Sequence, residues 1–143
     1  MTELEAVHRQ ILRRIPKRIN DMDVLLYLQK NTVNYEYVQT LKRTTRFNDE
    51  LLSGWLNVNI KTFRTYKKAD QEINISTREH VLMLLSLTQH GIAVFGSIEK
   101  FQEWLDKENF YFNNQAPKAY LNTVTGIRFV DGRLTAMEYG DNV

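Results

Sequence analysis

Residues 47–68 constrain the fold more than any other segment, because their pattern predicts two short helices joined by a tight turn. Asn48 is a favourable N-cap, and the two acidic residues after it suit the positive end of a helix dipole. Asn57 and Val58 then interrupt the helical pattern, and Asn59 provides a second N-cap. The segment is therefore predicted to form a helix-turn-helix.

The second helix of this pair is predicted to carry a basic face. Lys61, Arg64 and Thr65 share one side of a helix, and Lys68 would follow one turn later. A cationic face on a short helix held by a packed partner is what reading the major groove of DNA requires. The candidate DNA-binding residues are Lys61, Thr62, Arg64, Thr65, Lys67 and Lys68. The same pattern also fits an ordinary amphipathic helix with a solvated basic face.

Helical periodicity dominates the rest of the chain, which contains only 2 prolines. The predicted helices cover residues 4–15, 22–30, 35–44, 77–93, 98–107, 117–125 and 132–139. Ser76 is predicted to open the long helix as part of a capping box, Gly126 to end the sixth, and Asp131 to cap the last. A short extended piece near residues 127–130 is the one exception, so the sequence predicts an all-α fold.

The near-continuous apolar run at residues 81–87 is too hydrophobic for a surface helix. We therefore expect the helix that contains it to be the spine of the core, joining the two halves of the chain.

Composition limits the protein class. The chain has no cysteine, which removes disulfides, thiolate metal sites and thiol nucleophiles. No apolar run approaches the roughly 20 residues that cross a bilayer, and the N-terminal segment lacks a secretory pattern. The net charge is +2, with the basic residues concentrated towards the N-terminus. A cytoplasmic protein with no membrane association is expected.

Catalysis has no support in the sequence. His8, His80 and His90 are far apart and lack metal-ligand spacing. His80 and His90 are expected on helix surfaces or partly buried. Glu103 and Asp106 lie one turn apart, but neighbouring lysines favour a solvated, salt-bridged surface. No phosphate-binding glycine loop or nucleophile elbow occurs. We predict a non-enzyme with no catalytic residues, no metal and no cofactor.

The C-terminal half carries an ordered series of motifs. It reads VFGSIEKFQEWLDKEN, then Pro117, then TVTG, then Glu138-Tyr139-Gly140. The series resembles the toxin-binding domain of Xre/MbcA/ParS-type antitoxins, which follows an Xre-like helix-turn-helix in that family. The resemblance implies a helix-turn-helix domain with a linking helix (35–94) and a small helical toxin-binding domain (95–143). Residues 1–34 lie outside the resemblance, and their periodicity predicts a helical N-terminal extension.

The resemblance implies an antitoxin of a type II toxin–antitoxin system. Its partners would be a cognate RES-domain-like toxin that acts on NAD, and the operator DNA of its own operon. The residues that it implies for toxin binding are Arg133, Glu138, Tyr139 and Gly140. We expect a homodimer, because paired recognition helices read palindromic operators. The alternative is a stand-alone transcriptional regulator with a ligand-sensing or dimerising C-terminal domain.

Overall fold

A computed structural model describes residues 2–140 of the chain. The helices are α1 (Glu3–Arg14), α2 (Asp21–Lys30), α3 (Tyr35–Thr45), α4 (Asp49–Leu56), α5 (Ile60–Thr65), α6 (Ile75–Phe95), α7 (Ile98–Asp106) and α8 (Val124–Glu138). Two short 3-10 helices, η1 (Phe110–Phe112) and η2 (Pro117–Tyr120), connect α7 to α8. Within residues 2–140 the only β pairing is an isolated bridge, so the predicted all-α fold is confirmed. The last residues of the predicted C-terminal domain, 141–143, lie outside the described residues.

Polar side chains set where each helix begins. Every one of these α-helices follows a residue whose side-chain oxygen accepts a backbone N–H from the first turn, as a stable N-cap does. The caps are Thr2, Asn20, Asn34, Asn48, Asn59, Asn74, Ser97 and Thr123. The predicted capping box at Ser76 is wrong, because the Asn74 side chain accepts the Thr77 N–H at 2.9 Å and α6 begins at Ile75.

Helix α6 is the spine of the core, as predicted. All the side chains from Val81 to Leu87 are buried. The helix packs against α2, α3 and α4, and also against α7 and α8, so both halves of the chain use it. Within residues 2–140 no single helix is long and apolar enough to cross a bilayer; α6 and α7 meet both conditions only when taken together, and they are bent by 102° relative to each other.

The two C-terminal helices that the sequence predicted are found as the short η2, which begins at Pro117 as expected, and the longer α8. Thr123 caps α8 by accepting the Gly126 N–H at 2.9 Å, and the helix runs without a break past Asp131. Gly126 does not stop a helix: a Cβ built on it would lie 1.7 Å from the Tyr120 carbonyl oxygen. The glycine instead allows η2 to pack directly on the first turn of α8. Residues 127–130 are helical rather than extended.

Side chains of the N-terminal half bind the backbone around η2. The Trp55 indole N–H donates to the Lys118 carbonyl at 3.2 Å, and the Asn57 amide donates to the Asn122 carbonyl at 2.8 Å. His80 Nε2 of α6 lies 2.9 Å from a third carbonyl of this segment. These three contacts link the N-terminal half directly to the segment before α8.

Candidate nucleic-acid and partner-binding sites

The predicted pair of short helices is present as α4 and α5. Asn57 ends α4 in the left-handed backbone conformation, with φ 58°, which asparagine adopts more readily than most residues. Asn59 then caps α5. Phe63 and Tyr66 are buried and pack edge to face, with 6.3 Å between ring centroids. These aromatic residues anchor α5 to the core, and its opposite side faces solvent.

Helix α5 is shorter than predicted, which divides the basic residues into two groups. It ends at Thr65, and the Tyr66 N–H bonds to the Phe63 carbonyl in a tighter turn. Lys61, Thr62 and Arg64 are exposed on the helix, whereas Lys67 and Lys68 are exposed on the turn after it. Thr65 is half-buried and donates to the Thr62 carbonyl at 2.6 Å.

Asp49 connects the basic side of α5 to its neighbours. Its carboxylate accepts Lys42 Nζ at 2.9 Å and Arg64 Nε at 3.2 Å. The hydrogen bond from Lys42 is the main reason that the Asp49 pKa lies below its usual range. The Arg64 side chain is still 58% exposed, so the ion pair orients the guanidinium without burying it.

A partly buried charged cluster, which sequence reasoning missed, ties α8 to α6. His90 Nδ1 lies 2.6 Å from Asp131 Oδ1, and His90 Nε2 bonds to a carboxylate oxygen of Glu138. His90 is only 8% exposed and not on a helix surface. The hydrogen bond to Asp131 is the main cause that raises the His90 pKa. The seven-residue spacing of the two carboxylates, which places them on one face of α8, is the sequence signal that could have revealed it.

The residues predicted to bind toxin lie in the last turns of α8. Arg133 places its guanidinium carbon 3.6 Å from the centroid of the Tyr111 ring, a cation–π contact. Glu138 is held by His90, while Tyr139 is 78% exposed. Gly140 follows in the left-handed conformation, with φ 90°.

Exposed aromatic side chains extend this surface towards η1. Phe110 is 80% exposed and Phe129 of α8 is 48% exposed, while Phe112 between them is buried. A cleft of about 410 Å³ lies between Tyr120, Phe129 and the η1 segment. Large exposed aromatic residues beside an apolar cleft are typical of protein interaction surfaces.

Within residues 2–140 no group of three or more acidic and histidine side chains could hold a metal ion. The two bonds of His90, to Asp131 and Glu138, hold α8 against α6. The position of this cluster at the junction of α6 and α8 supports the end of α8 that carries Tyr139.

Comparison with known protein families gives a match for the C-terminal part of the chain. Residues 90–140 match the family described as the antitoxin Xre/MbcA/ParS C-terminal toxin-binding domain. A search of curated proteins gave no match. The matched region begins at His90 and ends at Gly140, so it contains the partly buried charged cluster and the predicted toxin-binding residues. The family is a binding domain and not an enzyme, which agrees with the predicted absence of catalysis. Residues 90–140 therefore belong with the C-terminal toxin-binding domains of the Xre/MbcA/ParS antitoxins, which supports an antitoxin role for the chain.

Proposed function

We propose that this antitoxin blocks a cognate RES-domain-like toxin that acts on NAD, and represses its own operon by binding operator DNA. The observation that carries the proposal is the family match over residues 90–140. The assignment of the toxin to the RES-like class follows from the resemblance of the sequence. Both partners would meet the protein in the cytoplasm.

The toxin is proposed to bind the end of α8 through Arg133, Glu138, Tyr139 and Gly140. Tyrosine and arginine are the residue types that most often dominate binding energy at protein interfaces. Stacking on Tyr111 restrains Arg133, and the bond to His90 restrains Glu138. Side chains that are already ordered lose less conformational entropy on binding, which favours affinity.

Tyr139→Ala tests the toxin site. We expect the full-length variant to bind the toxin encoded beside its gene about 30-fold more weakly in calorimetry, as for a tyrosine that dominates an interface. Cells that express the toxin together with Tyr139→Ala should grow more slowly than cells that express it together with the unaltered protein. Leu4→Ala is the matched control, since Leu4 is 51% exposed on α1 and outside the proposed site. Unchanged affinity for both Tyr139→Ala and Arg133→Ala would reject the site, and stable cellular NAD during toxin expression would reject the RES-like class.

DNA is proposed to bind along α5 as a helix-turn-helix. Lys61, Thr62, Arg64 and Thr65 would contact base edges or nearby phosphates, and Lys67 and Lys68 would contact the backbone. Exposure of the cationic side chains supports this assignment. A homodimer would place its two α5 helices in successive major grooves, about 34 Å apart.

Arg64→Ala tests the DNA assignment in a gel-shift competition between the upstream DNA of the gene and random DNA. A base-reading arginine contributes about 1–3 kcal/mol to discrimination, so preference for the upstream DNA should fall about 5- to 150-fold. Lys68→Ala is the comparison, because a phosphate contact should weaken binding to both DNAs equally. Equal binding of the unaltered protein to both DNAs would contradict autorepression by α5.

A further inference from the structure

Helix α2 is apolar on two opposite sides. Val24 and Tyr27 are buried against the rest of the chain, where the Tyr27 hydroxyl lies 2.6 Å from the Tyr37 hydroxyl. On the other side Met22, Leu25 and Leu26 are 63%, 51% and 40% exposed. Their positions i, i+3 and i+4 form one continuous stripe.

A helix with apolar residues on both sides is normally covered on both sides. Single exposed leucines are common on protein surfaces, but three large apolar side chains in one stripe indicate an interaction surface. Nothing within residues 2–140 covers the stripe of Met22, Leu25 and Leu26.

Two residues of the stripe lie symmetrically about the middle of α2. Leu25 and Leu26 are at the centre of the helix, which runs from Asp21 to Lys30, whereas Met22 lies as far from that centre as Gln29, so Met22 would pack on the aliphatic part of Gln29 in the second copy. A twofold axis between Leu25 and Leu26 would pack each of them against the other leucine of a second, antiparallel α2. Surfaces that face themselves in this way are the hallmark of symmetric dimers.

Charges beside the stripe are complementary in the same arrangement. Asp23 and Lys30 are seven residues apart, so they lie on the same flank of α2. In the antiparallel pair Lys30 would lie within about 3 Å, measured along the axis, of Asp23 in the second copy. Both side chains are exposed. A cleft of about 220 Å³ beside Leu25 is lined by Val24 and Met83 and also by the charged side chains of Asp21, Glu79 and Arg128.

We propose that α2 is a homodimer interface that packs antiparallel against α2 of a second copy through Met22, Leu25 and Leu26. The inference deepens the proposed function, because it rests on the homodimer expected there and assigns its surface. Its test needs neither DNA nor toxin, so the dimer surface and the proposed function can fail separately.

Sedimentation velocity of the full-length protein tests the apolar stripe. The unaltered chain should be a dimer at micromolar concentration. Leu25→Lys should raise the dimer dissociation constant at least about 100-fold, because each substitution occurs twice in a symmetric interface. Ile75→Lys is the matched control, since Ile75 is another exposed apolar residue, at 63%, but lies on α6, and it should leave the dimer intact.

A charge exchange tests the antiparallel register even if Leu25→Lys fails to fold. Asp23→Lys and Lys30→Glu should each weaken self-association, because each places like charges opposite one another. An equimolar mixture of the two variants should restore dimers, as should the double variant. The proposal is overturned by a monomeric unaltered protein, by a dimer that survives Leu25→Lys, or by a mixture that associates no better than its components. Loss of toxin binding by Leu25→Lys without any change in mass would assign the stripe to the toxin and also overturn it.

Discussion

His90 is an uncommon core residue, because each nitrogen of its ring lies against a carboxylate oxygen. A neutral imidazole donates from one nitrogen only, whereas the imidazolium donates from both. The arrangement therefore favours the protonated ring, in agreement with the raised pKa. The two bonds attach the middle and the end of α8 to α6, immediately before the exposed Tyr139.

The raised pKa predicts a pH dependence of stability. The contribution of His90 should be fully present below its unfolded pKa of 6.5 and should be lost as the pH rises through the higher folded value. The free energy of unfolding by urea should therefore exceed that of His90→Gln by about 2 kcal/mol at acidic pH, and by less as the pH rises. A difference that does not change with pH would contradict a charged His90.

His80 provides a control of opposite sign. Burial lowers its pKa, so its contribution is present above pH 6.5 and is lost as the pH falls through the folded value. The difference between the unaltered chain and His80→Gln should therefore grow with pH. Burial also lowers the pKa of His8, so His8 changes the stability of every variant with pH in the same direction as His80. Comparing each variant with the unaltered chain at the same pH removes this shared contribution.

The glycines of α8 have different roles although they occupy one helix. Gly126 allows the close approach of η2, where a Cβ would overlap the Tyr120 carbonyl, whereas Gly132 has no atom within 4 Å of a built Cβ. Only Gly126 is therefore required by packing.

The same substitution at these two glycines should have opposite effects. Gly132→Ala should stabilise the protein by about 0.5–1 kcal/mol, because alanine loses less backbone entropy in a helix. Gly126→Ala should destabilise it by at least about 3 kcal/mol, the cost of overpacking a rigid contact. Thermal unfolding of the two variants measures both effects. Equal shifts in midpoint would mean that η2 does not pack on α8 as described.

The helices that could be predicted from the sequence are those whose boundaries depend on nearby residues. Asn48 and Ser97 are caps that local chemistry identifies, and α4 and α7 were predicted accordingly. Gly126 was misinterpreted as a helix stop, because its reason lies in contact with another element. The pairing of His90 with Asp131 was also missed, since 41 residues separate the partners. Because α5 ends at Thr65, Lys68 lies beyond the helix, and the basic face predicted for α5 is only partly present.

The whole chain is organised around α6, which contributes buried side chains to both halves. The hydrogen bonds of Trp55 and Asn57 to the backbone around η2 add direct links. Such shared packing makes unfolding of the halves cooperative, because neither can open without exposing apolar surface of the other.

Cooperativity can be measured from one half while the other is perturbed. In a Trp104→Phe background Trp55 is the only tryptophan and reports on the N-terminal half. Adding Gly126→Ala in α8 should lower the midpoint of Trp55 fluorescence as much as that of helical circular dichroism. Separate midpoints, with Trp55 unaffected, would indicate that the halves unfold independently.

Because α6 belongs to the core of both halves, the choice of variants for separating the two activities matters. A fragment that ends before α8 would leave the leucines of α6 without their cover, and its aggregation would mimic loss of repressor activity in a reporter assay. Deletion mapping would therefore lead to the false conclusion that the deleted C-terminal segment binds DNA. Single substitutions at solvent-facing positions such as Arg64 and Tyr139 separate the two activities while the spine stays covered.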